Sequence, residues 1–258
     1  MQVYHMSGAG NDFMVVDARD LTADLSALAR KLCAVTHADG LMALDRSDRA
    51  DFRLHFYNSD GSRGEMCGNG ARCICKFAYD LGVVGESMTA ETDAGPVFGW
   101  RLSENRYRMQ MNLPSIYDEK RKPGAVYLEL GDPGIPHAVV QLPDLDWEDA
   151  AELREQAVAL RYDPAFPKGA NINFYTRLSD DTVRVLTYER WVEDYTLACG
   201  TGCTAIAVDL WMQGKLPGGI LICENKGGIL QATVSGHGNT PSCVLLEGPA
   251  ETLNIYDL

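Results

Sequence analysis

Two segments of this sequence carry the same short pattern around a cysteine: Cys67-Gly68-Asn69-Gly70-Ala71 and Cys199-Gly200-Thr201-Gly202-Cys203. They lie 199 − 67 = 132 positions apart, about half of the 258-residue chain. A thiol at the start of a helix feels the positive end of the helix dipole and N–H groups that no intrahelical carbonyl uses. Both effects favour thiolate and lower a pKa that begins near ~8.5. The glycines let a ligand come close to the backbone, so the same N–H groups can hold a carboxylate. Two such cysteines suit one reaction class in particular, inversion at the α-carbon of an amino acid. One base removes the hydrogen from one face, a second acid returns a proton to the other, and fixed N–H donors stabilise charge spreading into the carboxylate. Two close anions repel, so the pair is expected to hold one thiolate and one thiol and to titrate as a unit.

Read singly, each motif is better explained by a small buried cysteine and a glycine-rich helix start. Matched surroundings favour chemistry. A strand (Phe52 to Asn58; Thr182 to Tyr188) runs through a polar loop into each Cys-Gly-x-Gly turn, and a helical stretch follows (Ala71 to Leu81; Thr204 to Gln213). Elsewhere, Phe52, Leu54 and Phe56 alternate with Arg53 and His55, and Tyr107, Met109, Met111 and Leu113 alternate with Arg108, Gln110 and Asn112, as half-buried strands do. Leu25, Leu28, Ala29 and Leu32 have helical spacing, and Asp146 before Trp147, Ala150, Leu153, Ala157 and Leu160 predicts a capped helix. The class is α+β. Pro114, a charged run and Pro123-Gly124 break the pattern between Leu113 and Lys122, which predicts a crossing between two lobes. The expected lobes are 1–113 with Cys67 and 114–258 with Cys199, the last ~10 residues returning to the first lobe.

Composition narrows the partners. Hydrophobic residues make up 46% of the chain, enough for a real core, and 23 Lys and Arg against 36 Asp and Glu give a net charge of −13. That balance excludes the basic surface a nucleic acid needs. No apolar run approaches the roughly 18 residues of a membrane span, and the start MQVYHMSGAGND lacks an export signal, so the expected location is cytoplasmic. Eight cysteines in that setting are expected as free thiols. Cys73-Ile74-Cys75 and Cys199-x3-Cys203 lack the paired spacing of a structural zinc site, and neither motif contains the C-x-x-C of a thioredoxin-like centre.

Across nearly the whole chain these segments resemble the diaminopimelate epimerase family. The carrying residues are Ser7-Gly-Ala-Gly-Asn11-Asp-Phe13, Asn58-Ser-Asp-Gly61, Glu65-Met-Cys67-Gly-Asn-Gly-Ala-Arg72, Pro136-His137, Asn171-Ile-Asn-Phe174, Tyr188-Glu-Arg190 and Leu197-Ala-Cys199-Gly-Thr-Gly202. The resemblance implies two similar lobes, each a curved, mostly antiparallel sheet around a central helix, with the site in the cleft between them. It implies epimerisation of LL- to meso-diaminopimelate for lysine and peptidoglycan precursors, with no pyridoxal phosphate, other cofactor or metal, in a homodimer. Carried over by position, Cys67 and Cys199 are the acid/bases, and the backbone of Gly68, Asn69, Gly200 and Thr201 holds the reacting carboxylate. Asn11, Asn58, Asn171, Glu189 and Arg190 bind the rest of the substrate. Arg190 can grip a carboxylate bidentately and Glu189 can face an ammonium. Read without the family, Asn11 and Asn58 are equally turn formers, Glu189 and Arg190 solvated charges, and His137 a structural histidine.

Four places depart from the family pattern. Ile135 stands where an asparagine often precedes Pro-His, with water or Asn173 to serve in its place. Trp191 follows Glu-Arg where a small residue is usual, Tyr195 replaces an acid, and Thr36-His-Ala-Asp-Gly40 is short. They keep two alternatives open: a racemase of another polar amino acid, such as histidine or glutamate, and a binding relative without catalysis. Two sulfurs that flank one carbon are also close enough to form an inactivating disulfide.

Overall fold

A computed structural model describes residues 1–64, 68–93 and 95–258; Cys67 lies outside them. The chain forms two compact units, one of Met1–Gln110 with Glu247–Leu258, the other of Met111–Leu246. In the first, β1 (Gln2–Gly8) and β2 (Asn11–Asp17) lead to α1 (Leu25–Thr36), then β3 (Gly40–Asp45), β4 (Phe52–Asn58), β5 (Arg63–Gly64), α2 (Gly68–Asp80), β6 (Ser87–Thr92), β7 (Gly95–Ser103) and β8 (Arg106–Met111). In the second, β9 (Pro114–Lys122), β10 (Ala125–Leu130) and β11 (Ile135–Gln141) precede a 3₁₀ turn (Trp147–Asp149) and α3 (Ala150–Arg161). Then come β12 (Asn171–Arg177), β13 (Thr182–Glu189), β14 (Asp194–Thr196), α4 (Gly200–Met212), β15 (Ile220–Asn225), β16 (Gly228–His237) and β17 (Thr240–Pro249), whose residues from Glu247 on belong to the first unit. The last strand, β18 (Glu251–Asp257), pairs antiparallel with β1.

The units repeat one topology, as the sequence repeat predicts. A helix joins parallel neighbours in each: α1 between β2 and β3, α3 between β11 and β12. The next strand is antiparallel (β3 with β4, β12 with β13), then comes a short partner (β5, β14) and a helix. That helix returns the chain parallel to the strand before it, β4 with β6 and β13 with β15. Parallel neighbours need such crossovers, whereas the antiparallel pairs close with tight turns.

The two returning helices are buried on all sides, as a core helix is and a surface helix is not. In α2 every residue from Asn69 to Ala78 is buried, against β1, β2, β3 and β7. In α4 Gly200 and everything from Gly202 to Leu210 is buried, against β10, β11, β12, β15 and β16. Helices α1 and α3 cover the opposite faces. Asp24 caps α1 by accepting from the N–H groups of Ser26 and Ala27, and Ala29, Leu32 and Cys33 pack on Val3, Met14, Val16, Leu41 and Ala43. Asp146 caps the 3₁₀ turn before α3 in a reciprocal bond with Asp149, and Ala157 and Leu160 pack on Tyr127, Ala138, Ile172, Phe174 and Leu186. Burying a side chain of this size contributes about 1.5–3 kcal/mol.

One element differs from expectation. The segment 114–122 is not a crossing but strand β9, paired with β10 from Ile116↔Glu129 to Lys122↔Ala125. Proline is tolerated at a strand's first residue, and the charges that hid the alternation sit on partly exposed positions. Seven described cysteines, including Cys199, are free thiols.

Candidate active site

The alternation of β12 and β13 sorts the second unit's polar residues onto one face. Ile172, Phe174, Leu186 and Tyr188 point into the core beneath α3. On the other face Asn173 lies opposite Thr187, and Thr187 lies opposite Thr196 of β14, with Glu189 two residues on. Neighbouring β11 adds His137, level with Asn171. The start of α4 packs on this face because Gly202 has no side chain: a Cβ there would stand 2.2 Å from Asn173 Oδ1 and 3.1 Å from Thr187 Oγ1. The first unit has the same construction in apolar form, since a Cβ on Gly70 would meet Met42 Cε and Phe13 Cζ. By strand register Met42 corresponds to Asn173, Asn58 to Glu189, and Asn11 to Ile135.

Cys199 is the N-cap of α4, in extended conformation and 5% exposed. Its Sγ accepts the Gly202 N–H at 3.4 Å and lies 3.5 Å from Thr201 Oγ1. The Cys203 N–H goes to the Cys199 carbonyl, so Gly200 and Thr201 carry the first-turn donors that helix geometry does not use. Burial and the Glu189 carboxylate push the Cys199 thiol well up, against the downward pull of Thr201 and the Gly202 N–H. This runs opposite to the expected acidification: desolvation of the buried sulfur outweighs the helix start.

Glu189 is fixed by the Thr196 hydroxyl, which donates to Oε1 at 2.6 Å. The side-chain oxygen of Asn171 accepts the Arg190 backbone N–H at 2.8 Å, and Arg190 Nη1 donates to the Lys168 carbonyl at 3.0 Å. The structure thus groups Asn171, Glu189, Arg190, Cys199, Gly200 and Thr201 around one sheet face and one helix start. In the first unit Asn69 donates to Asn11 Oδ1, while Asn11 Nδ2 donates to Asp39 Oδ2 at 3.1 Å. Buried Arg72 donates to Asn69 Oδ1 at 3.0 Å and to the Gly68 carbonyl at 3.3 Å. Asn58 is exposed and donates to Ser62 Oγ at 2.9 Å, the geometry of a turn former. Gly68 opens α2 directly after Cys67.

Sequence reasoning missed Asp39 and the part Asn173 plays. Asp39, in the short segment after α1, aligns Asn11 and also accepts the Asp12 N–H. Asn173 does not stand in for an amide at position 135. Its own amide donates to Ala138 O and Asn171 O and lies 3.2 Å from His137 Nδ1, and its carbonyl accepts from Thr187, all within the protein. His137 is wholly buried and neutral, its pKa pushed down to about 3 by burial and the Arg190 charge against the Asn173 bond. The alternation that places Thr187 and Glu189 beside α4 puts Tyr195 opposite Tyr188, edge-on at 5.4 Å in the α3 core. That departure therefore lies away from Cys199. Ile135 lies on His137's face of β11, at the position that corresponds by register to Asn11.

The diaminopimelate epimerase family model matches residues 3–113 and 131–253. A diaminopimelate epimerase of Aquifex aeolicus (strain VF5) is 40% identical over 234 residues, covering 83% of this chain and 82% of that protein. One from Chlorobaculum tepidum is 36% identical over 254 residues, 96% of this chain and 97% of that protein. The solved structure of a probable proline racemase from Agrobacterium radiobacter K84 has the same fold, with TM-score 0.70 at 18% identity over 100% of this chain and 92% of that one. On the matched segments and the identity of these relatives, the chain belongs to the diaminopimelate epimerase family.

Proposed function

We propose that this protein is an isomerase that interconverts LL- and meso-diaminopimelate by proton transfer between two cysteines, in the supply of lysine and peptidoglycan precursors. Family membership supports the reaction, and the observation that carries the mechanism is Cys199: a thiol capping a buried helix start beside Glu189. Cys199 enters the cycle as the thiol, because burial and the Glu189 charge keep its proton on. Cys67, at the matching place in the sequence repeat, is then the thiolate that removes the α-hydrogen. Cys199 delivers its proton to the other face, and the pair leaves the cycle with protonation states exchanged. The N–H groups of Gly68, Asn69, Gly200 and Thr201 hold the reacting carboxylate as negative charge spreads into it. Arg190 takes the distant carboxylate and Glu189 the ammonium side, with Asn11, Asn58 and Asn171 completing the pocket.

Histidine and glutamate as substrates, and binding without turnover, draw no support from the relatives described above. A cytoplasmic homodimer using no cofactor or metal completes this reading; no described helix is long and apolar enough to cross a membrane. Incubation with LL-diaminopimelate in D2O, followed by proton NMR, tests it. The expected result is exchange at one α-position and formation of the meso isomer, with epimerisation abolished in Cys67→Ala and in Cys199→Ala. Absence of exchange in the intact enzyme, or an active single variant, overturns the proposal.

A further inference from the structure

The hairpin that joins β13 to β14 holds two bulky residues in a backbone conformation that favours glycine: Trp191 at φ 74° and Glu193 at φ 56°. Glu193 is explained by its bonds. Its Oε1 accepts from Arg161 Nε at 3.1 Å, from Arg161 Nη2 at 2.7 Å and from the Trp191 N–H at 3.1 Å, and its carbonyl accepts the Tyr188 hydroxyl at 2.7 Å. Trp191 has no such explanation, for its side chain is 80% exposed and fills no core. What it touches is charge. The Arg190 guanidinium carbon lies 5.3 Å from the ring centre and that of Arg161 5.7 Å. Arg190 itself is anchored on one side only, by the Lys168 carbonyl, and its buried Nε has no partner among the described residues.

We infer that Trp191 is a specificity-determining residue, whose indole closes over a carboxylate held by Arg190 and the aliphatic stem that carries it. The assignment rests on the function proposed above, in which that carboxylate is the substrate's distant one. An aromatic ring stacked on a guanidinium keeps water from it and strengthens its pairing with an anion, and the ring's open face is apolar surface for methylene groups. The neighbouring Arg161–Glu193 pair holds the hairpin so that the ring stays beside Arg190 before ligand arrives.

The test compares wild type, Trp191→Gly and Trp191→Phe in steady-state epimerisation of LL-diaminopimelate, with melting temperature and indole emission measured alongside. Glycine suits φ 74°, so Trp191→Gly is expected to melt no lower than wild type. Its KM is expected to rise about 5-fold, the loss of one cation–π contact, with kcat retained to within about twofold. Trp191→Phe should return KM to within about twofold of wild type. Indole emission of the wild type should shift to the blue on saturation with meso-diaminopimelate, and this shift should be absent in Trp191→Phe. A KM in Trp191→Gly equal to that of wild type, or an unshifted wild-type emission, overturns the assignment. Failure of the wild type to turn over diaminopimelate at all instead removes the function beneath it.

Discussion

His137 shows how a side chain's surroundings decide its chemistry. Its Nδ1 lies 3.2 Å from the Asn173 amide nitrogen, and its Nε2 is buried without a partner among the described residues. Protonation would place a second cation beside Arg190 in a site closed to water, hence the pKa near 3. Because the folded-state pKa lies below the unfolded value of about 6.5, the unfolded chain binds the extra proton first and stability falls as the pH is lowered. The contribution is complete above pH ~6.5 and is lost progressively toward pH ~3; at pH 5 the loss is about 2 kcal/mol. Denaturant melts of wild type and His137→Asn at pH 7.5 and pH 5 check this. Asparagine keeps a polar partner for Asn173 but cannot be protonated, so the variant should be flatter by about that amount. Equal slopes would place the acid sensitivity in other groups, such as Asp17 and Asp93, whose carboxyls are held down by their bonds to Arg19 and Arg63.

At the scale of elements, the second glycine of each Cys-Gly-x-Gly turn is where sequence and packing meet. Gly202 faces an Asn173 amide locked by bonds to His137, Ala138, Asn171 and Thr187, whereas Gly70 faces the terminal methyl of Met42. A methionine end swings aside cheaply; a bonded amide does not. Gly202→Ala should therefore cost about 2–3 kcal/mol in denaturant melts and most of the epimerase activity, and Gly70→Ala less than about 1 kcal/mol. Equal costs would contradict the rigidity ascribed to Asn173. Much of this level was legible beforehand. The alternation at Phe52 to Asn58 marked β4, and Asp146 marked the start of the α3 region. Both cysteine turns preceded helices, although α2 and α4 begin three and four residues earlier than the apolar spacing, at glycines that carry no periodic signal. What stayed hidden depends on distant partners. Strand β9 was masked by Pro114 and its charges, and the acidity of Cys199 turned on burial beside Glu189. Nothing local in Trp191 or Glu193 announces a left-handed backbone.

At the scale of the molecule, the repeated topology leaves the first unit one strand short without the C-terminus. The chain supplies that strand by returning β18 to β1, from Gln2↔Asp257 to Ser7↔Glu251. Met1 and Leu258 extend the ladder: Met1 N donates to Leu258 O, and the Leu258 N–H donates to the Met1 carbonyl. Most of β18 is exposed, including Leu253 and Ile255, so its contribution comes from the ladder and from Tyr256, which packs against the α1 core. Loss of the strand leaves β1, with buried Val3 and Met6, bonded on one side only. Removing residues 251–258 should thus lower the melting temperature by roughly 5 °C or more, at about 2–4 °C per kcal/mol for a chain of this size. Hydrogen exchange should rise first in β1. Tyr256→Ala should produce a substantial part of that loss, whereas Leu253→Ser and Ile255→Ser, which empty no core, should each move the melting temperature by less than about 2 °C. If the serine variants melt as low as the truncation, the outer face of β18 is covered in solution, and the returning strand is held by more than its pairing with β1.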